Sequence, residues 1–219
     1  PGFESCEPSI EHVRNIVEKG QVAAFLIEIV QGEGGVVALD PAFVRQLALL
    51  AAENDILLMA DEVQTGAGRT GKLFAYMHTG ITPDIVTVAK GLGAGYQPIG
   101  AMLCTAEIYD AIAQGSGFFQ HGHTYIGHPI ACAAADAVVQ KLTEGGLTER
   151  SARMGAVLDE ALRDAFGQHP NVGDIRGRGM FRGLELVADR ETKTPFAPEQ
   201  AVHKAVKSAA FEAGRAWDE

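Results

Sequence analysis

No apolar run in this 219-residue sequence reaches the roughly 18 residues that a membrane-spanning helix needs, and no signal-peptide pattern opens it. Cysteine is scarce: Cys6, Cys104 and Cys132 have no paired spacing, which argues against a disulfide framework and for a reducing compartment. Basic residues are outnumbered, 18 Lys and Arg against 28 Asp and Glu. The net charge of −10 argues against nucleic acid as a partner, because its binders carry a basic face. Internal repeats and low-complexity tracts are also missing. What is present is an ordinary globular balance, 47% hydrophobic and 21% charged, able to bury a substantial core. These readings together predict a soluble, cytoplasmic protein. The sequence starts at Pro1 without a methionine and stops at Glu219 soon after an amphipathic segment, so a fragment of a longer protein is expected.

Hydrophobic patterning predicts alternating strands and helices. Residues 22–30 (VAAFLIEIV) form an apolar, β-branched run suited to a strand covered on both faces. A loop, Gln31-Gly-Glu-Gly-Gly35, follows. Asp40 and Pro41 then supply an N-cap and a first-turn proline for a helix carrying Phe43, Leu47 and Leu50 and closed by Asn54. Residues 56–60, 85–89 and 98–104 read as three more strands. His128-Pro129 opens an alanine-rich helix broken at Gly145-Gly146. Residues 147–166 form another, with Met154, Leu158, Leu162 and Phe166 on one core-facing stripe. Residues 176–187 alternate as one or two strands, and 199–213 read as a helix. The pattern predicts an α/β fold with a mostly parallel sheet in residues 1–144 and a smaller α+β unit in 145–219.

In such sheets ligands bind beyond the carboxyl ends of the strands. Asp61 and Lys90 both fall at such ends. Lys90 is the only charge in residues 85–106, so its surroundings in the sequence are apolar. A lysine enclosed in that way loses hydration, which favours the neutral amine an imine-forming lysine needs. Paired with a carboxylate for a pyridinium nitrogen, it points to pyridoxal phosphate. The bland alternatives are a turn or cap role for Asp61 and a surface position for Lys90. Gly91, Gly93 and Gly95 free the backbone beside the lysine, which favours the functional reading.

Other features carry less. Gly91-Leu-Gly-Ala-Gly95 lacks both the complete dinucleotide fingerprint and a Lys-Ser/Thr ending. His121, His123 and His128 have no cysteine or acidic cluster to complete a metal shell, so loop histidines are expected and no metal. Cys104 is expected to be a buried, inert thiol. Arg176, Arg178 and Arg182 read equally as holders of a substrate carboxylate or as strand-surface charges.

Several motifs together resemble one family. Leu58-Met-Ala-Asp-Glu-Val-Gln-Thr-Gly66, Gly68-Arg-Thr-Gly71, Pro83-Asp-Ile85, Ala89-Lys-Gly-Leu-Gly93, Pro98-Ile-Gly-Ala101 and His123-Thr-Tyr-Ile-Gly-His-Pro129 occur in the order and spacing of class III aminotransferases. Val30-Gln-Gly-Glu-Gly-Gly35 and Gly177-Arg-Gly-Met-Phe-Arg-Gly-Leu-Glu185 extend the similarity over nearly the whole chain, with an ω-transaminase flavour around residues 179–196. The resemblance implies a pyridoxal-phosphate-dependent transferase of fold type I. Residues 1–144 would be the second half of its large domain, and 145–219 the beginning of its small C-terminal domain.

By the same resemblance Lys90 is the Schiff-base lysine and Asp61 the partner of the ring nitrogen. Val63 packs on the ring face and Gln64 bonds the phenolic oxygen. Thr124 binds the neighbouring subunit's cofactor phosphate in a homodimer with shared active sites, and Glu33 matches a carboxylate that in some members pairs with a mobile substrate-gating arginine. Glu28-Ile29 stands where the family usually has Glu-Pro. The family's phosphate loop, its ring-stacking aromatic residue and its gating arginine have no counterpart in this sequence. The implied reaction moves an amino group from an amine or ω-amino acid to a 2-oxo acid. Three alternatives remain: an aminomutase on the same scaffold, an inactive fragment serving as an interaction module, and a metal hydrolase.

Overall fold

The structure, a computed structural model, describes residues 2–214. Helix α1 (Ile10–Glu18), which the patterning did not reveal, begins at Ser9, whose hydroxyl accepts from the His12 N–H. Strand β1 (Ala24–Ile27) follows, then a short hairpin of β2 (Val30–Gln31) and β3 (Val37–Ala38). Helix α2 (Pro41–Glu53) starts as expected. The Asp40 carboxylate accepts from Ala42 N–H at 2.8 Å and Pro41 occupies the first turn, while Asn54 closes the helix by donating to the Leu50 carbonyl. Strands β4 (Leu57–Asp61), β5 (Ile85–Val88) and β6 (Ala101–Cys104) complete the first sheet.

That sheet has the order β1-β4-β5-β6, parallel across its first two pairings and antiparallel at the last. Helices α1 and α2 cover one part of it. Val44, Leu47 and Leu50 of α2 join Val13 of α1 and Leu58 of β4 in a buried cluster. Each such side chain stabilises the fold by roughly 1.5–3 kcal/mol relative to exposure.

Helices α3 (Ala106–Gln114), α4 (Pro129–Thr143) and α5 (Leu147–Phe166) come next. His128 caps α4, its Nδ1 accepting from Ala131 N–H. A second sheet of β7 (Val172–Arg178), β8 (Phe181–Asp189) and β9 (Thr194–Pro195) packs against α5, and α6 (Val202–Glu212) ends the described chain.

Four expectations need correction. Residues 22–30 are not one covered strand: β1 lies at the sheet edge with Leu26 exposed. The chain then bends at Glu28, whose carboxylate accepts from Gly32 N–H at 3.1 Å and starts the hairpin, turning Ile29 and Val30 into the core. The strand expected at 98–104 begins only at Ala101, because successive turn hydrogen bonds carry the backbone as far as Tyr96. Met154 and Phe166 stay exposed, so the α5 stripe is only partly covered. The expected helix at 199–213 is interrupted at Ala201, which adopts a left-handed conformation (φ 43°) between a 3-10 turn and α6.

Candidate active site

Parallel pairing sets the site. Asp61 ends β4 opposite Thr87 of β5, and Lys90 follows β5 by two residues, so both lie at the carboxyl edge of the sheet. The Asp61 carboxylate accepts from Val63 N–H at 2.9 Å, which turns the chain sharply as the strand ends. Lys90 has φ 45°, a left-handed conformation rare for a residue with a side chain, at the start of a 3-10 turn. Among the described residues seven other non-glycines, Val36 and Ala201 among them, also have a positive φ, so the conformation by itself does not mark a site. The enclosure expected for Lys90 is absent: the residue is exposed, because it lies past the end of β5, at the start of a turn, rather than within the covered strand. The case for its chemistry therefore rests on its position at the carboxyl edge of the sheet rather than on burial by this chain.

Beside Asp61 stands a carboxylate that sequence reasoning passed over. Glu62 is completely buried. One oxygen accepts from the Thr65 hydroxyl at 2.5 Å and Ala75 N–H at 2.9 Å, and the other accepts from Tyr76 N–H at 2.8 Å. Burial pushes its pKa up, while these three donors pull the other way. Thr65 three residues on is the only local signal of this role. Ala75 and Tyr76 are too far along the chain to leave one.

Val63 and Gln64 are half-buried beyond the strand end, and the Gln64 amide donates to the Glu33 carboxylate at 3.1 Å. Thr124 sits in an exposed turn before α4. Arg176 and Arg182 are committed internally. Arg176 donates to the Gly35 carbonyl at 2.7 Å and pairs with Asp174 and Glu185. Arg182 pairs with Asp159 at 2.7 Å and donates to the Gly155 and Gly179 carbonyls.

Other bonds tie the second sheet and α5 to the loop that follows β4. The Arg69 carbonyl accepts from Met180 N–H at 3.0 Å and from the Ser151 hydroxyl at 3.1 Å. Gly155 of α5 packs directly on Gly179, which in turn packs on the Thr70 backbone. A Cβ on Gly155 would overlap the Gly179 carbonyl. His78 is half-buried with Nε2 3.2 Å from the Thr70 carbonyl and hydroxyl. Burial, with Arg178 and Lys72 nearby, pushes its pKa down to about 4.

Cys104 is exposed rather than buried, because β6 is an edge strand with all four residues open. It borders a cleft of about 150 Å³ with Phe74, Tyr76 and Asp84. That cleft opens at the amino end of β5, the opposite edge from Asp61 and Lys90, and is smaller than the ~300 Å³ at which ligand pockets begin. His121 and His123 meet edge to face, with ring centroids 5.4 Å apart.

The residues at the carboxyl edge suit pyridoxal phosphate by their chemistry: an amine free to react, a carboxylate at a strand end and an amide side chain beside it. The family model for class-III aminotransferases matches residues 2–214. The 5-aminovalerate aminotransferase DavT of Pseudomonas aeruginosa is 45% identical over 190 residues, 86% of this chain and 43% of that protein. The 4-aminobutyrate aminotransferase GabT of Escherichia coli is 41% identical, over 84% of this chain and 42% of its own length. Among solved structures, an amine transaminase from an uncultivated Pseudomonas species in its PLP-bound form superposes with a TM-score of 0.89 at 38% identity. It covers 94% of this chain, which spans 48% of it. The chain belongs to the class-III aminotransferase family and spans less than half the length of these relatives.

Proposed function

We propose, from that family membership, that this chain carries the chemical centre of a pyridoxal-phosphate-dependent aminotransferase moving an amino group from an amine or ω-amino acid to a 2-oxo acid. The observation that carries the reading is the placement of Asp61 and Lys90 at the carboxyl ends of adjacent parallel strands. The names of two relatives specify 5-aminovalerate and 4-aminobutyrate, both ω-amino acids, which supports that donor class.

Bound there, pyridoxal phosphate would supply the electron sink for the carbanion formed at the substrate Cα. The Lys90 amine would anchor the cofactor and, once released by the substrate amine, move the Cα proton through Nζ. The Asp61 carboxylate would hold the proton on the ring nitrogen. Val63 would cover one ring face and Gln64 would donate to the phenolic oxygen, exchanging its present bond to Glu33. The Thr124 hydroxyl, exposed in its turn, would reach the cofactor phosphate of a second subunit in a homodimer. Residues 1–144 would form the latter half of a large cofactor-binding domain and 145–219 the start of a small one, in a cytoplasmic enzyme. Among the described residues no helix is long and apolar enough to cross a membrane.

The test is covalent trapping. After incubation with pyridoxal phosphate and borohydride, peptide mass mapping should find the cofactor on Lys90, and Lys90→Ala should take up none. A tag on another lysine, or a mutant that still incorporates cofactor, would sink the assignment.

A further inference from the structure

Between β4 and β5 the chain leaves the sheet on a long excursion, and its first residue is the most completely used in it. Glu62 donates its backbone N–H to the Thr87 carbonyl of β5 at 2.8 Å, and its carbonyl accepts from Gly66 N–H at 2.8 Å. Both carboxylate oxygens are occupied, by the Thr65 hydroxyl and by two consecutive backbone N–H groups from residues 75 and 76. A space-filling role would not require this. An apolar residue of the same volume fills a core at least as well, and a buried carboxylate without its partners is costly. Two adjacent N–H donors and a hydroxyl need two acceptor oxygens. A glutamine would turn an NH2 group toward one of those donors.

The position of the bond in the chain gives it a function. The Glu62–Thr65 hydrogen bond spans two residues only, Val63 and Gln64, and the Gly66 N–H bond to the Glu62 carbonyl closes the same turn. Asp61 precedes it directly, its own carboxylate held by Val63 N–H. We infer that Glu62 is a positioning residue: its buried carboxylate locks the turn that presents Asp61, Val63 and Gln64 beyond the end of β4. This rests on the proposal that those three residues face the cofactor. Glu62 itself, wholly buried and fully bonded, touches neither cofactor nor substrate.

The experiment compares Glu62→Gln, Thr65→Val and Thr65→Ser with the unmodified chain. Amide hydrogen exchange without cofactor should show Val63 and Gly66, whose N–H groups are bonded within this turn, exchanging about tenfold faster in Glu62→Gln and Thr65→Val, the scale of one lost hydrogen bond. Thr65→Ser, which keeps the hydroxyl, should match the unmodified chain. With pyridoxal phosphate, both disruptive variants should still be trapped on Lys90 by borohydride, but with affinity about tenfold weaker. The pH midpoint of the bound cofactor's absorbance should shift in the same direction as in Gln64→Ala, and Gln64→Ala should add little to that shift in the Glu62→Gln background. Variants that lose thermal stability while keeping the affinity and absorbance midpoint of the unmodified chain would overturn the inference. Should Glu62→Gln fail to fold, Thr65→Val, which removes one hydroxyl, decides the matter. If the unmodified chain takes no tag on Lys90, the proposed function falls and this inference with it. If the tag forms and the variants behave as the unmodified chain does, only the inference falls.

Discussion

Residues 62–78 and residues 96–130 both contain long stretches outside regular strands, yet they are built in opposite ways. The first is closed by this chain. Glu62, Thr65, Thr70 and Ala75 are buried, their polar groups are paired, and the tip at Arg69 and Thr70 is fastened to α5 and the turn between β7 and β8. The second is open. Tyr96 and Tyr125 are each 79% exposed, and Met102, Leu103, Tyr109, Phe118, Phe119, Ile126 and Ile130 also face outward. These apolar side chains have little packing from the rest of the described chain. Self-contained hydrogen bonding holds Asp61, Val63 and Gln64 in place within this chain, whereas Thr124 sits on a stretch that supplies little packing of its own.

The contrast yields three measurable consequences. The largest is expected at the fastening of the first region. Gly155→Ala would drive a methyl group into the Gly179 carbonyl and should cost about 3 kcal/mol by urea denaturation; a loss below about 1 kcal/mol would show that the junction is soft.

The next is a pH effect within the same region. His78 has a pKa near 4 in the fold against about 6.5 when unfolded, so between those values the unfolded state binds a proton that the folded state refuses. Its contribution to stability is therefore complete above pH 6.5 and is lost as pH falls toward 4. His78→Gln should flatten that part of a melting-temperature profile, and an unchanged slope would assign it to other groups.

The smallest effect is expected in the open region. Tyr125→Ser should change the stability of the isolated chain by no more than about 0.5 kcal/mol, while reducing any self-association seen by sedimentation. A loss near 2 kcal/mol would mean that Tyr125 is packed and the two regions are alike.

Much of the first sheet was legible because its signals are local. Asp40-Pro41 and Asn54 bracket α2, and short apolar runs mark β4 and β5. Helix α5 could be bounded to the residue by the glycines around it. Signals failed where a distant partner decides the outcome. The bend at Glu28 depends on the Gly32 N–H, and the exposure of Cys104 depends on β6 lying at the sheet edge. The three arginines of the second sheet could not be assigned from spacing. Arg176 and Arg182 are spent on Gly35, Glu185, Asp159 and Gly155, partners up to 141 residues away.

The sequence by itself determined the family, the α/β class and the pairing of an aspartate and a lysine at strand ends. These follow from hydrophobic period and from motifs read along the chain, which neighbouring residues encode together. Only the tertiary structure decided that Lys90 is open rather than enclosed, and that Glu62 is the buried clamp beside Asp61. Burial and hydrogen bonding belong to residues that meet across the fold, and those meetings leave almost no trace in local order.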